Sequence, residues 1–450
     1  MASLTARVPR APRRSFHHAF APALALAAAL STSGASAAEE MPALTLAPGP
    51  GNGFAAQVAS SSPLVLSAYR QLLGNARSLR DPRIRAETLD LIGNERVCVR
   101  SRSHLTTTEK QRILAELVAA KLVDPADEAS FPGGLLAGVF PALRDDASDC
   151  PHLPQPVFAA PGSYWGGHHS EPGGLMVHEA LNDASDLALR ANYERVYGSP
   201  RADGLPVVGM AAASGPRQGD LPIERDLIVA VPLWHDWAKT YVFQWTDKGS
   251  EFPELNFGGT GQLDDYGAAG NSKTGAHHIL GLAEAMARHM PADFVLMQAS
   301  AHSAPTAGNE YKVVNWLRAA AILARIDPVA QGYLVEVNGR YRLAPARAVA
   351  SSDFKPGMAH TNMLVEYLLH NLSDADFSFT APALDDVVEL LASQAARYGY
   401  DPADEARYNW KFRNPVLSTL SAERLYILYS NEGLSALVRE LDRLRKEGRI

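Results

Sequence analysis

Eight of the fourteen histidines fall between His168 and His302. Several stand inside apolar runs rather than polar loops. His178 lies in GGLMVHEAL, His235 and Asp236 sit side by side in LIVAVPLWHDWAKTYVFQW, and His277 and His278 open HHILGLAEAM. His302 closes LMQASAH and Asp327 closes RAAAILARID. Burying an imidazole or a carboxylate without a partner costs a few kcal/mol or more. Taken singly, each has a plain explanation: a histidine on an apolar helix face is more often a satisfied core residue than a ligand. Taken together, and counting one of the adjacent His277 and His278, they are six metal-capable groups on five segments, each beside core-forming residues. A divalent cation would cancel carboxylate charge and accept imidazole lone pairs, which is the chemistry this pattern points to.

Such groups converge only if their segments bundle. Helical periodicity dominates the chain, in GGLMVHEALNDASDLALRANYERVYG, RDLIVAVPLWHDWAKTYVF, TGAHHILGLAEAMARHM, FVLMQASAH and YKVVNWLRAAAILARIDPVAQ. Facing helices of a bundle are a common place to build metal sites. Two further helices, PLVLSAYRQLLGNA and TTTEKQRILAELVAAKLV, precede these, and HTNMLVEYLLHNL, ALDDVVELLASQAARYG, SAERLYILYS and LSALVRELDRLRKEG follow. YLVEVNGRYRLA alternates around Asn338-Gly339 and predicts a β-hairpin. The expected fold is all-α with one small hairpin. Expected boundaries are a signal peptide at 1–38, a flexible linker at 39–61, an N-terminal helical segment at 62–160, a metal-binding bundle at 161–332, and the hairpin with C-terminal helices at 333–450. Asp264 and Asp265, in a long Gly- and Asp-rich insertion, read as solvated loop rather than ligands. His289 reads as a helix-end histidine, and His360 and His370 as surface or packing residues.

The ordered set VHEAL, WHDWAK, AHHILG, SAHSAP and ILARIDPVA resembles the HD superfamily of metal-dependent phosphohydrolases, with its H…HD…H…H…D pattern. HHSEPGGLMVHE is similar to a variant in which a His pair precedes Pro-Gly-Gly-Leu, and LWHDWAK is similar to the usual LLHDIGK. The resemblance covers about residues 164 to 330. Trp237 and Ala238 depart from the usual Ile-Gly, and the spacer from His178 to His235 is long. The resemblance implies an HD-type helical bundle with two divalent cations, Mn, Fe, Zn and Mg being indistinguishable. It implies one cation on His178, His235, Asp236 and Asp327, with Asp236 bridging to a second on His278 and His302. His278 is preferred over His277 because an aliphatic pair and Gly281 follow it. His277 is then a proton donor or a residue behind the ligands. A metal-activated hydroxide would cleave a small phosphomonoester or phosphodiester, a nucleotide among the candidates. Lys239, one turn from His235, is a candidate for gripping phosphate, or a lysine reaching solvent. His168 and His169 are candidates for the substrate rim, or a simple loop pair. The same ligands also suit a di-iron oxygenase, and a third reading is a non-catalytic metal-binding scaffold.

Composition narrows the field. Of 450 residues, 46% are hydrophobic and 20% charged, as in globular proteins, and a net charge of −7 gives no broad electrostatic signal for nucleic acid. Arg7, Arg10, Arg13 and Arg14 precede AFAPALALAAAL and the small-residue stretch SGASAAEE, the layout of a signal peptide of either the general secretory or the twin-arginine type. A periplasmic or secreted protein follows, with no membrane span in the mature chain. Cys98 and Cys150 can pair there, although spacing alone leaves that open. GGTG at 258–261 lacks the context of a phosphate cradle, and neither Ser214 nor Ser303 fits a nucleophile elbow.

Overall fold

Apolar residues at three- and four-residue spacing build most of the helices that the periodicity predicts. The computed structural model describes residues 49–198, 221–250, 253–259, 271–306, 308–349, 353, 355 and 362–450. The signal segment, Asp264, Asp265 and His360 lie outside them. The described residues belong to one compact unit. It is all-α apart from two antiparallel strand pairs. Among the described residues, no helix is long and apolar enough to cross a membrane.

The expected linker is partly helical. Helix α1 (Asn52–Ser61) buries Ala55 and Ala59, and Ala55 packs with Trp245 and Trp410. Small residues there let the backbone approach large rings, so an Ala-rich composition marks close packing rather than freedom. Ser62 then starts α2 (Pro63–Arg77), its hydroxyl accepting the Val65 N–H at 3.1 Å. Asp81 caps α3 (Pro82–Gly93) in the same way, and Thr106 with Glu109 forms a capping box on α4 (Thr107–Ala119). After the short α5 (Gly134–Val139), Cys150 bonds to Cys98 across 52 residues.

The helices that carry the histidines come next. They are α6 (Gly174–Tyr197), α7 (Arg225–Ala230), α8 (Pro232–His235), α9 (Lys239–Val242), α10 (Ala276–Ala287), α11 (Ala292–Ser300) and α12 (Glu310–Ala324). The stretch around His235 is three short helices, not one. Pro232 has no N–H to continue α7 and instead begins α8. Strands β1 (Asn256–Phe257) and β2 (Thr274–Gly275) pair beside the site. Strands β3 (Leu334–Val337) and β4 (Arg340–Leu343) form the expected hairpin, with Asn338 at φ 53° and Gly339 at φ 72° in its turn. Helices α13 (Val365–Ser373), α14 (Phe377–Gln394), α15 (Glu405–Tyr408), α16 (Asn414–Leu420), α17 (Ala422–Glu432) and α18 (Leu434–Lys446) finish the chain.

Burial divides the chain differently from the expected boundaries. One apolar core runs from Ala59 to Leu369, so the first helices, the hairpin and α13 all share it. A second cluster, from Leu384 to Leu444, belongs to the C-terminal helices. The break falls after α13 rather than at 333, because Leu334, Leu343, Tyr367 and Leu369 bury their side chains in the first core.

The Cys98–Cys150 link constrains a long segment of the unfolded chain. Replacing both cysteines with serine should lower unfolding free energy by about 4 kcal/mol, on chain entropy alone. Urea denaturation of the variant against the oxidised protein measures this, and coincident midpoints would contradict it.

Candidate metal centre

Helix α6 begins with a tight approach. Gly173 takes φ 85°, and a Cβ on Gly174 would lie 1.9 Å from the His169 carbonyl oxygen. Only glycines let the loop bearing His168 and His169 fold back against this helix start. Four residues on, His178 is fully buried, followed along the helix by buried Glu179, Asn182, Asp183 and Asp186. The broken α8–α9 segment delivers the other half. Asp236 sits between the two helices in a non-helical conformation, φ −108° and ψ 1°.

Four donor atoms meet there. His178 Nε2 lies 3.2 Å from Asp236 Oδ2 and 3.1 Å from Asp374 Oδ1. His235 Nε2 lies 3.3 Å from each of the same two oxygens. Donors about 2.1 Å from one cation stand about 3.0 Å apart at octahedral neighbours and about 3.4 Å apart at tetrahedral vertices. The observed separations match that range. The other oxygen of Asp236 faces a second group, with His277 Nε2 at 3.1 Å and His302 nearby. His277 Nε2 and Asp236 Oδ1 are both buried and make no hydrogen bond of good geometry. Orphaned buried donors of this kind fit a bound cation.

The far nitrogens are also held, which fixes how each ring is presented. His235 Nδ1 donates to the Pro232 carbonyl at 2.9 Å and has Glu179 at 3.3 Å. His277 Nδ1 meets Glu254 at 2.5 Å, His302 Nδ1 meets Thr274 Oγ1 at 2.7 Å, and His178 Nδ1 faces Asp376 at 3.4 Å. His235, His277 and His302 are thereby left with Nε2 for the centre, while His178 Nε2 also meets Asn182 Nδ2 at 3.2 Å.

The structure corrects two of the expected ligands. Asp327 is exposed, and its carboxylate accepts the Val329 and Ala330 N–H groups at 2.8 and 3.1 Å. Arg325, in the left-handed region, has already ended α12, and Asp327 only shapes the turn that follows. Asp374 takes its place, in the turn between α13 and α14, held by Asn182 Nδ2 at 3.1 Å. His278 gives way to His277. Neighbouring helical side chains diverge by about 100°. His277 therefore points at Asp236, while His278 stacks on His302 at 4.0 Å and meets the Trp316 edge at 4.9 Å, with neither nitrogen hydrogen-bonded. Asp374 could have been suspected from SDADF, an acidic turn closing an amphipathic helix that carries His370. His370 is fully buried, paired with Asp186 at 3.2 Å and edge-on to His235 at 4.8 Å.

Charge is concentrated here. Burial alone would raise the Asp236 carboxyl, but His235, Lys239 and His277 outweigh it and hold it well below the carboxylate range. Burial would likewise lower His235, yet Asp236, Glu179 and Asp374 raise it well above the usual imidazole value. Lys239 is buried and donates both to Asp236 Oδ2 and to the Gly162 carbonyl. It therefore braces the Asp236 carboxylate rather than reaching solvent. His168 is neutral: burial, then His178, Lys239 and His169 nearby, push it down to about 2. The centre floors a cavity of about 940 Å³, with Tyr164, His168, Phe243, Asn256, Lys312 and Phe377 in its walls. His169 is packed behind that wall. Comparison with protein families, curated proteins and solved structures finds no match to this chain.

Two expectations follow. Asp374→Ala should lose bound metal as fully as Asp236→Ala, while Asp327→Ala keeps the wild-type content; elemental analysis of the three purified variants decides, and the reverse order refutes the assignment. The second concerns Asp183, whose carboxyl burial raises to about 7, with Asp186 and Glu179 adding to the rise and Asn75 opposing it. Between about pH 4 and about pH 7 the unfolded chain has lost this proton and the folded chain keeps it, so stability falls as pH rises, by at most about 4 kcal/mol. Asp183→Asn should flatten that part of a Tm-against-pH curve; an unchanged slope would show that Asp183 is ionised in the folded state.

Proposed function

We propose that this chain is an exported, HD-type metal-dependent phosphohydrolase that cleaves a small phosphomonoester or phosphodiester. The observation that carries the reading is the placement of Asp236. One of its oxygens faces His178, His235 and Asp374, and the other faces His277 and His302. With Asp374 as the last member, the order H…HD…H…H…D is kept along the chain. A carboxylate shared between two donor groups suits a pair of cations. When bound, these would acidify a water and neutralise charge on a phosphoryl group.

The protein's own residues prepare the ground. Glu254 and Glu179 hold His277 and His235 from behind, so the rings are set before substrate arrives. Lys239 fixes the orientation of Asp236 and adds positive potential at the cavity floor. Lys312 and Asn256, in the walls, offer donors to the non-reacting part of an anionic substrate. The cavity exceeds what an inorganic phosphate needs and suits a substrate of nucleotide size. The arginine- and alanine-rich leader agrees with export, and the Cys98–Cys150 bond agrees with an oxidising compartment.

The protein should be stripped with chelator, reloaded with Mn, Fe, Zn or Mg, and assayed on p-nitrophenyl phosphate, its diester and a nucleotide set. Turnover should return with metal, and Asp236→Ala should reduce it on the order of 10³-fold or more. Lys239→Ala should lower kcat by about 10- to 100-fold with metal content kept. A folded, metal-loaded protein that hydrolyses none of these would refute the proposal, and iron-dependent oxygen consumption would favour an oxygenase.

A further inference from the structure

A second polar cluster lies behind His178, on the side away from Asp236. His169 is 3% exposed, and its Nε2 stands 2.9 Å from Asp376 Oδ2 and 3.3 Å from Glu423 Oε1. His168, His169, His178 and Asp376 each bring one donor atom within 4.8 Å of the others. Buried atoms here lack hydrogen-bond partners: His168 Nδ1, Asp376 Oδ1 and Glu423 Oε1, while His169 Nδ1, on the far edge of its ring, faces Glu171 at 4.0 Å. A single proton on His169 would answer two carboxylates with one positive charge and leave those atoms orphaned. A divalent cation would satisfy them together. His169 is also held at φ 51°, an unusual conformation for a non-glycine residue, and its carbonyl is locked by the Gly162 N–H at 2.7 Å.

We propose that His168, His169, Asp376 and Glu423 form a further cation site, distinct from the Asp236 centre and selective for a borderline divalent ion such as Zn²⁺, Mn²⁺ or Fe²⁺. Two imidazoles with two carboxylates favour such ions over Ca²⁺ or Mg²⁺, which prefer oxygen alone. His178 separates the two sites, with Nε2 toward Asp236 and Nδ1 toward Asp376. The donors come from the loop ahead of α6, the turn ahead of α14, and the first turn of α17. A cation there would clasp the C-terminal helices, which have their own apolar cluster, to the helix start that carries His178. The inference does not depend on phosphoester chemistry.

The full chain, stripped of metal, is titrated with Zn²⁺ or Mn²⁺, counted by elemental analysis, and crystallised for anomalous scattering at the metal edge. A peak between His169 and Asp376, separate from density at Asp236, is expected. His169→Gln and Glu423→Gln should each lose that peak and one equivalent of metal, and should exchange amide hydrogens faster in α14 and α17. Asp236→Ala should keep this peak and lose density at its own centre; failure of that loss would count against the Asp236 centre alone. Wild-type crystals with anomalous density only at Asp236, or variants that bind as many ions as wild type, would overturn the proposal. If both variants fail to fold, the wild-type anomalous map decides by itself.

Discussion

Asp236 is an ionised carboxylate on 1% exposed backbone and side chain, with Trp234 and Trp237 buried on either side. A charge in such a place needs compensation from several directions. His178 comes from α6, His235 and Lys239 from its own broken segment, and His277 from the start of α10. Much of the architecture can be understood as the means of bringing these partners to one point. The break after His235 matters most, since a continuous helix would send His235 and Asp236 about 100° apart, whereas Asp236 leaves the helix with φ −108° and ψ 1°.

The partners are themselves buried, so compensation extends outward in layers. Glu254, Glu179 and Asp376 each stand behind an imidazole. Farther out, Asp186 holds His370, and Asn75 holds Asp183. Helix α6 supplies four of these groups on one face, which is why a helix of 24 residues buries so many polar side chains. Polar networks of this kind are stable only when nearly every member is satisfied. Orphaned atoms are found beside both Asp236 and His169, among them His277 Nε2, Asp236 Oδ1, His168 Nδ1 and Asp376 Oδ1.

The C-terminal region is tied to the same problem. The turn from Asp374 to Asp376 sends one carboxylate to each side of His178. It is also where the first apolar core ends and the second begins. The join between the two cores therefore lies at the polar centre, and the packing of α14 and α17 bears directly on how His178 is held.

From sequence alone, the all-α class, the Asn338-Gly339 hairpin and the candidacy of His178, His235, Asp236 and His302 for one polar cluster could be read, because periodicity, turn chemistry and polar groups in apolar runs are local signals. The pairing of Cys98 with Cys150 stayed open, since it depends on where two loops meet. SDADF marks Asp374 as an acidic turn residue, but its place in the centre stayed open for a related reason. Asp327 and Asp374 both follow apolar helices, and only tertiary packing shows that one closes an exposed turn while the other enters the centre. The choice between His277 and His278 was likewise decided by the rotation of α10 against its neighbours, which adjacent identical residues cannot encode by type. Sequence established which chemistry was affordable in the core; the docking of distant segments decided which side chains share it.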